Sequence, residues 1–421
     1  MERLPGFRDF YPEPLPHPDL WSADARQYIF GKWRESARRY GFRKYDGPPL
    51  EPLELFTTKS GDEIIGQLYN FKDKGERHVA LRPEMTPTLA RMIAAHERSY
   101  KKPVKWFALP QLFRYERQQK GRLREHFQLN ADIIGESDVA ADAELIALLI
   151  DSLRAFGLTE TDFVIRLSSR NAWHDFFVRH QGDTAKEYEF YQAIDKLERE
   201  EPGTNEQKLR ALGFSLVEVM ALIEEAKPTA ELQTILDNLG ARGLGDYVKV
   251  DYGVIRGLAY YTGIVFEAFD RKGDFRAIAG GGRYDNLVKL VSGGKVDLPA
   301  LGFGMGDVVL LELLKGRELL PDFDGGLDVF CLIEEEAWRA ESLKLIQDLR
   351  SAGFAVEFSL TAAKSDKQFK RARDLQAAWT AKMEQSDSGE MMTRIKNLAT
   401  REERLVRWIE VAEHLTANKR E

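Results

Sequence analysis

A strongly basic stretch of the chain, RYERQQKGRLR, runs from Arg114 to Arg124. It holds five basic side chains and one acid, Glu116, in a protein whose formal net charge is -7. Guanidinium groups bind phosphate oxygens through paired hydrogen bonds, so the stretch is a candidate phosphate site. A solvated loop tip would have the same composition. The flanking runs VKWFALPQLFRYE and HFQLNADII are typical of strands, which predicts a hairpin connected by the basic stretch.

A single carboxylate, Glu84, lies in LRPEMTP just before a predicted helix over residues 86–99. Thr86 is the predicted N-cap of that helix, and Pro87 lies in its first turn. A carboxylate at this position can bind the ammonium group of a ligand, or it can stabilise the positive end of the helix dipole. The residue pattern alone leaves both interpretations open.

Two glycine-rich stretches, AIAGGGRYDNL and ALGFGMGD, are each predicted to lead from a short strand through a glycine turn into a helix. Glycine lets a backbone approach a ligand closely, and the amides at a helix N-terminus attract anions. Neither stretch has the spacing of a dinucleotide-binding motif or of a P-loop. Tight packing turns are therefore the simpler interpretation of the pattern.

Arg256 precedes GLAYYTGIVFEAF, which places Tyr260 and Tyr261 side by side in a predicted strand. Successive strand residues point to opposite faces, so the two tyrosines cannot both lie in one core. The combination of an arginine, two phenols and two glycines indicates a functional segment.

Composition restricts the kind of protein that this is. Hydrophobic residues make up 43% and charged residues 31%, which is typical of a soluble globular protein. The single cysteine, Cys331, excludes an intrachain disulfide framework, and the seven scattered histidines show no metal-ligand spacing. The chain has no signal-peptide pattern and no apolar run of about 20 residues, so we expect a cytoplasmic protein without a membrane segment.

Changes in pattern along the chain predict two domains. Residues 18–41 and 138–157 read as helices, with Gly41 and Gly157 as stops. A helical, charged region over residues 171–244 lies between strand-rich parts, which predicts an inserted subdomain. The turn-rich PDFDGG predicts a boundary between a domain over residues 1–322 and one over residues 327–421. The second part alternates short strands and helices and ends in a predicted helix near residues 400–417.

The order of these features resembles that of histidyl-tRNA synthetases, which are class II aminoacyl-tRNA synthetases, over nearly the whole chain. LPGFRDFYP is similar to the family's Gly-x-Arg-Asp-Phe element, GFRKYDGPPLEPLELF to motif 1 with Pro48 as its proline, and FRYERQQKGRLREHFQLNADIIG to motif 2. The resemblance implies an α+β catalytic domain with a central antiparallel sheet of the class II type and a helical insertion. It also implies a smaller C-terminal α/β domain similar to anticodon-binding domains. Motif 1 builds a dimer interface in the family, so a homodimer is implied.

The implied reaction is that of a histidine–tRNA ligase. L-histidine and ATP give histidyl-adenylate and pyrophosphate, and the histidyl group then moves to tRNA(His). ATP is a substrate, Mg²⁺ is implied as its bound ion, and no metal site of the protein itself is implied.

The resemblance assigns each role to particular positions. Arg256 and Arg114 are the implied catalytic residues. The implied histidine-binding residues are Glu84, Met85, Thr86, Arg114, Gln128, Asp132, Arg256, Tyr260 and Tyr261. ATP is assigned to Arg114 and Glu116. Contacts with the tRNA acceptor end are assigned to Arg8, Gln119 and Arg122.

Three places depart from the family pattern. Asp307 and Val308 stand where motif 3 has Glu and Arg, the arginine that stacks on adenine. Ala259 replaces the aspartate of the usual Arg-Gly-Leu-Asp-Tyr-Tyr. In the C-terminal part, AKMEQSDSGEMMTRI replaces a glycine-bounded hairpin. The nearby stretch AAKSDKQFKRARDLQAAW does match the family's basic helix. That helix could contact phosphates or simply form a solvated face.

These departures keep a second function open. A synthetase paralogue acts as the regulatory subunit of ATP phosphoribosyltransferase in histidine biosynthesis, and it commonly lacks the catalytic arginine and an intact tRNA-binding domain. Arg256, the complete motif 2 and the C-terminal region favour the synthetase. A nucleotide-binding scaffold without catalysis is a third, weaker interpretation.

Overall fold

The computed structural model describes residues 2–60, 62–115, 123–197, 200–255, 261–273, 275–323, 326–386 and 388–417. The chain forms two compact units. The first comprises Met1–Asp9 and Ala25–Pro321, and the second comprises Phe10–Asp24 and Asp322–Glu421. Each unit contains segments that are not contiguous in sequence.

The strands in chain order are β1 (Phe10–Tyr11), β2 (Trp21–Ser22), β3 (Arg43–Lys44), β4 (Leu50–Pro52), β5 (Asn70–Lys72), β6 (His78–Leu81), β7 (Val104–Ala108), β8 (Gln111–Phe113), β9 (Glu125–Ile134), β10 (Phe163–Ser169), β11 (Val248–Val250), β12 (Ile264–Asp270), β13 (Ala279–Arg283), β14 (Ala300–Gly306), β15 (Val329–Leu332), β16 (Val356–Phe358), β17 (Trp379–Gln385), β18 (Met391–Asn397) and β19 (Glu403–Arg407).

The α-helices are α1 (Ala23–Arg39), α2 (Glu54–Ser60), α3 (Thr86–His96), α4 (Ala140–Arg154), α5 (Arg170–Arg179), α6 (Glu187–Asp195), α7 (Pro202–Ala211), α8 (Leu216–Glu225), α9 (Ala230–Ala241), α10 (Leu287–Val291), α11 (Asp307–Gly316), α12 (Arg339–Ser351), α13 (Ser365–Asp374) and α14 (Val411–Ala417).

A large sheet forms the centre of the first unit. Its strands follow the order β11-β10-β12-β13-β14-β9-β7-β3, and β8 pairs with β9. The pairs β10–β11 and β3–β7 are parallel, and the neighbouring pairs between β10 and β7 are antiparallel. The predicted α+β fold with a central antiparallel sheet is confirmed. The predicted hairpin is also present, because β8 and β9 pair with Phe113 opposite Glu125.

The strands in the glycine-rich stretches continue through the glycines, so the turns predicted there are wrong. AGGGR forms β13 and ALGFGMG forms β14, the two strands pair along their length, and the predicted helices follow as α10 and α11. Glycine has a low strand propensity, so the pattern ended the predicted strands too early. Burial of both strands at the centre of the sheet overrides that propensity.

The apolar residues of helices α3 and α10 pack in a shared core. Leu89 and Ile93 of α3 lie in one core cluster with Leu287 and Val288 of α10. α3 begins after Met85, which occupies the N-cap position, so the predicted N-cap Thr86 is wrong by one residue. The predicted helix start near Asp138 is close to the observed one, because Asp138 Oδ1 accepts a hydrogen bond of 2.8 Å from the amide of Ala140.

The region predicted to be helical contains α5 to α9 and lies in sequence between the parallel strands β10 and β11. Its core includes a group of aromatic rings in mutual contact, formed by Trp173, Phe176, Phe177, Phe190 and Phe214. These rings replace the sheet as the packing surface for helices in this part of the chain.

The second unit contains a five-stranded sheet with the order β16-β15-β17-β18-β19. Cys331 of β15 packs with helices α12 and α14 in one core cluster, whereas Phe330 and Leu332 pack on the other face with Ala372 of α13. β17 and β18 form an antiparallel hairpin within the stretch that departed from the family pattern. The predicted final helix is wrong over its first part, because β19 occupies Glu403–Arg407 and α14 begins only at Val411.

Candidate active site

A polar cleft lies along the central strands of the first unit. Its open space is about 470 Å³, part of it continuous with solvent. The cleft is lined by Glu84, Thr86, Arg114, Gln128, Asn130, Asp132, Tyr261, Gly280, Tyr284, Gly302, Phe303 and Gly304. The fold therefore brings together six of the residues predicted for the histidine and ATP sites, namely Glu84, Thr86, Arg114, Gln128, Asp132 and Tyr261.

Glycines of β14 make room for the polar side chains of β9. Gly302 pairs with Asp132 in the sheet. A Cβ atom on Gly302 would lie 1.9 Å from Asp132 Oδ1, and one on Gly304 would lie 2.6 Å from the amide carbon of Gln128. Both distances are far below van der Waals contact. Side chains at these two positions would therefore displace the polar groups of the cleft.

Asp132 is a buried carboxylate with two different oxygen environments. It is 2% exposed, and the hydroxyl of Tyr284 donates to its Oδ1 at 2.5 Å. Its Oδ2 has no hydrogen-bond partner among the described residues. Burial raises the pKa of Asp132 to about 7, although the hydrogen bond from Tyr284 opposes the shift. An unsatisfied buried oxygen is costly, so this atom is suited to accept a hydrogen bond from a ligand.

Residues of β9 extend the polar surface from Asp132. Gln128, Asn130 and Asp132 occupy every second position of β9, so their side chains lie on the same face of the strand. Asn130 is 5% exposed, and its Oδ1 has no partner among the described residues. Three neighbouring polar side chains can thus orient a ligand that has both hydrogen-bond donors and acceptors.

The N-terminus of α3 forms another part of the cleft. Glu84 is half-buried, and Thr86 is the first residue of the helix. A carboxylate and a hydroxyl in this place form a suitable site for an ammonium group. Met85, predicted to bind histidine, has a fully buried side chain in the core cluster beneath α3 and is absent from the lining of the cleft.

Arg114 supplies a positive charge at the base of the hairpin. Its Nε donates to the carbonyl of Pro83 at 3.1 Å, which joins the guanidinium to the residue before Glu84. His126 lies nearby on β9. Desolvation and the positive charges of Arg114 and Arg8 lower the pKa of His126 to about 3, so its imidazole is neutral at pH 7.

Arg8 lies inside the protein, which contradicts its predicted contact with tRNA. Its Nε donates to Glu125 at 2.7 Å and its Nη1 to Asp307 at 2.8 Å, and the Arg8 side chain is 1% exposed. Asp307 also accepts a hydrogen bond of 2.9 Å from the amide of Phe127. Asp307 and the 7% exposed Val308 begin α11 and do not line the cleft. Asp307, at the position of the motif 3 glutamate, thus forms a buried ion pair with Arg8.

Tyr261 lines the cleft and is 7% exposed. It precedes β12, which begins at Ile264, so the strand alternation predicted for the tyrosine pair does not apply to it. The remaining predicted positions, Glu116, Gln119, Arg122, Arg256 and Tyr260, lie outside the described residues, as does Ala259.

Two polar residues of the cleft, Asn130 and Tyr284, were missed by sequence reasoning. Asn130 could have been found from its place between Gln128 and Asp132 in a strand with a period of two. Tyr284 gave no such signal, because it hydrogen-bonds Asp132 across a separation of 152 residues. Only the paired strands bring the two together.

The described residues contain no group of three or more His, Cys, Asp or Glu side chains that could hold a metal ion. Within the same ranges, no helix has the length and apolar character needed to cross a bilayer.

Comparison with known proteins places the chain in a family. The model of the histidyl-tRNA synthetase family matches residues 19–307. A curated histidine–tRNA ligase from Opitutus terrae is 45% identical over 426 residues, with 96% of this chain and 95% of that protein covered. One from Leptospira biflexa is 34% identical and covers 95% of this chain and 94% of its own length.

A solved structure agrees at the level of the fold. The crystal structure of histidyl-tRNA synthetase from Nostoc sp. PCC 7120 superposes with a TM-score of 0.77 at 22% identity, covering 97% of this chain and 98% of that chain. This likeness confirms the class II synthetase fold that the sequence resemblance implied. By its fold and its full-length sequence similarity, the chain belongs to the histidyl-tRNA synthetase family.

Proposed function

We propose that the protein is a histidine–tRNA ligase, which activates L-histidine with ATP and transfers it to tRNA(His). The observation that carries the choice of amino acid is the pair formed by Asp132 and Tyr284. Asp132 Oδ2, which has no partner among the described residues, is suited to accept a hydrogen bond from an imidazole N–H. The near-complete coverage of relatives named histidine–tRNA ligase supports the ligase over the regulatory-subunit alternative.

Histidine would bind with its ring toward β9 and its ammonium group toward α3. Asp132 accepts from the ring, and Gln128 and Tyr261 complete its polar surroundings. Glu84 and Thr86 hold the ammonium group, because the first supplies a negative charge and the second a hydroxyl acceptor. A buried site of this kind rejects amino acids without a matching donor, since they would leave Asp132 unsatisfied.

Arg114 would orient the α-phosphate of ATP and the carboxylate of histidine. Its place at the hairpin base, bonded to Pro83, keeps the guanidinium close to the proposed ammonium site. A fixed positive charge there stabilises the negative charge that develops as the carboxylate attacks the α-phosphate. The neutral His126 leaves that charge to Arg114.

The family resemblance alone supports the roles of the residues outside the described ranges. We assign Arg256 to the α-phosphate, Glu116 to adenine, Tyr260 to histidine, and Gln119 and Arg122 to the tRNA acceptor end. Mg²⁺ would enter with ATP as the ion of that substrate and neutralise the pyrophosphate.

The assembly and the place of action are further parts of the proposal. The segment around Pro48 resembles motif 1, which supports a homodimer. Charging of tRNA supplies ribosomes, so we place the enzyme in the cytoplasm. Static light scattering of the purified protein tests the dimer, and a mass equal to one chain would contradict it.

The function is tested by histidine-dependent exchange of labelled pyrophosphate into ATP, followed by charging of tRNA(His). We expect exchange with L-histidine and none with the other amino acids. The matched variant Asp132→Asn should lose most histidine-dependent exchange while it keeps the fold, as judged by circular dichroism. Absence of exchange in the unmodified protein would refute the ligase, and exchange without charging would refute only the transfer step.

A further inference from the structure

Arg170 holds the main chain beside Tyr261, a residue that lines the cleft. It is the first residue of α5 and is 6% exposed. Its Nη1 donates to the carbonyl of Tyr261 at 3.1 Å and its Nε to the carbonyl of Ile255 at 3.4 Å. Its amide donates to the carbonyl of Gly263 at 3.0 Å. We propose that Arg170 is a positioning residue for the reaction, because it holds the main-chain carbonyls of Ile255 and Tyr261 and thereby places Tyr261 in the cleft.

This role uses the shape of the guanidinium as well as its charge. Arginine presents several N–H donors in one rigid plane, so one side chain can hold two carbonyls at a fixed separation. Burial lowers the pKa of Arg170, with nearby tyrosines opposing the shift, yet an arginine remains protonated at neutral pH. Lysine carries the same charge on a single nitrogen and cannot reproduce this planar geometry.

The contacts of Tyr261 leave little freedom for its ring. The amide of the next residue, Thr262, donates to the carbonyl of Arg283 at 2.9 Å, and its hydroxyl donates to Asp285 at 3.0 Å. A Cβ atom on Gly282 would lie 2.9 Å from Cδ1 of Tyr261, so the ring packs closely on β13. Arg170 fixes the carbonyl side of Tyr261, and these contacts fix the following residue and the ring.

The guanidinium of Arg170 also contacts the helical region that follows β10. Its carbon Cζ lies 4.9 Å from the centre of the Tyr191 ring on α6, at a distance typical of a cation–π contact. The hydroxyl of Tyr191 bonds Glu187, which also pairs with Nδ1 of His174 at 2.7 Å. α6 thus packs on the same guanidinium that holds the main chain at the cleft. The helical region therefore has a direct contact with the residue that positions Tyr261.

The inference rests on the proposed function for its effect on catalysis, so the experiment has a structural and a kinetic part. The variant is Arg170→Lys, which keeps the charge and removes the two-point contact. The matched control is Arg271→Lys. Arg271 also donates to main-chain carbonyls, those of Glu160 and Asp246, but lies outside the cleft.

In the structural part, amide hydrogen exchange is measured by mass spectrometry at Thr262 and at Arg170, whose amides donate to the carbonyls of Arg283 and Gly263. We expect faster exchange of these amides in Arg170→Lys than in the unmodified protein, and no change there in Arg271→Lys. This part does not depend on enzyme activity. Unchanged protection of both amides in Arg170→Lys would overturn the inference.

In the kinetic part, pyrophosphate exchange is measured against histidine and ATP separately. We expect the KM for histidine to rise about tenfold in Arg170→Lys, as for the loss of one hydrogen bond to a charged group. The KM for ATP should rise as well, because Arg256, which we assign to the α-phosphate, directly follows Ile255 in the sequence. Arg271→Lys should match the unmodified protein in both KM values. A lower melting temperature in Arg170→Lys with unchanged KM values would show a purely structural role and overturn the inference. Inactivity of the unmodified protein would refute the proposed function, while hydrogen exchange would still decide the role of Arg170.

Discussion

Replacement of Gly302 by alanine should weaken histidine binding without unfolding the protein. The added Cβ would lie 1.9 Å from Asp132 Oδ1 and 3.1 Å from the carbonyl oxygen of Ala131. The second distance needs an adjustment of only a few tenths of an ångström, so the Asp132 carboxylate is the group that has to move. Its movement would break the hydrogen bond from Tyr284 and displace the acceptor proposed for the imidazole.

The size of the effect follows from the bond that is lost. A hydrogen bond to a charged group contributes about 1.5–3 kcal/mol. Because roughly 1.4 kcal/mol corresponds to a factor of ten, the KM for histidine should rise by about 10- to 150-fold. The KM for ATP should stay close to its original value, since Arg114 does not contact Gly302.

Gly306→Ala is the matched control on the same strand. A Cβ atom on Gly306 meets nothing within 4 Å, so this variant should keep both KM values. Pyrophosphate exchange at varied histidine gives the measurement, and thermal unfolding gives the check on folding. An unchanged KM for histidine in Gly302→Ala would refute the view that the missing side chain at this position makes room for Asp132.

Three further predictions concern buried groups. Because the pKa of Asp132 is raised to about 7, its carboxyl binds more protons in the folded protein than in the unfolded chain between about pH 4 and 7. The contribution of Asp132 to stability should therefore decrease as the pH rises through that window. Urea unfolding at each pH should show that Asp132→Asn lacks this decrease. Arg8→Met leaves Glu125 and Asp307 buried without their shared cation, so the free energy of unfolding should drop by about 3–5 kcal/mol. Adding Asp307→Asn to this variant should restore part of the loss. Equal stability of Arg8→Met and the unmodified protein in urea would refute this prediction. Burial raises the pKa of the Cys331 thiol to about 12, so a thiol reagent should label it only after denaturation; rapid labelling of the native protein would contradict its burial.

The sequence predicted the residues of the cleft where motif and strand pattern agree. Gln128 and Asp132 belong to the segment that resembles motif 2 and to the predicted strand HFQLNADII, and Glu84 lies just before a predicted helix. These residues could be predicted because each is identified by its immediate neighbours in the sequence.

The errors involve partners that are far apart in sequence. The family resemblance assigned Arg8 to tRNA, but its carboxylate partners lie 117 and 299 residues away. Tyr284 escaped notice for the same reason. In the second unit, β19 has only Val406 buried among its residues, so its sequence carries no alternating signal and was read as part of a helix.

Gln368 illustrates a role that sequence could not assign. It belongs to the basic stretch that was predicted to contact phosphates or to form a solvated face, yet it is 1% exposed. Its side chain accepts from the amide of Ile333 at 2.9 Å and donates to the carbonyl of the same residue at 2.7 Å. The helix α13 is thus anchored to the end of β15 by one amide group. The lysines and arginines around Gln368 remain exposed on that helix.

The division of the chain into interleaved units has a consequence for biosynthesis. The second unit groups Phe10–Asp24 with the segment that starts at Asp322. During translation Phe10–Asp24 leaves the ribosome early, whereas the rest of its unit is synthesised only after residue 321. The first unit can fold around Ala25–Pro321 in the meantime, so the second unit is completed last. A recombinant fragment that starts at Asp322 would lack part of its own unit, and an expression plan for that unit should supply both segments.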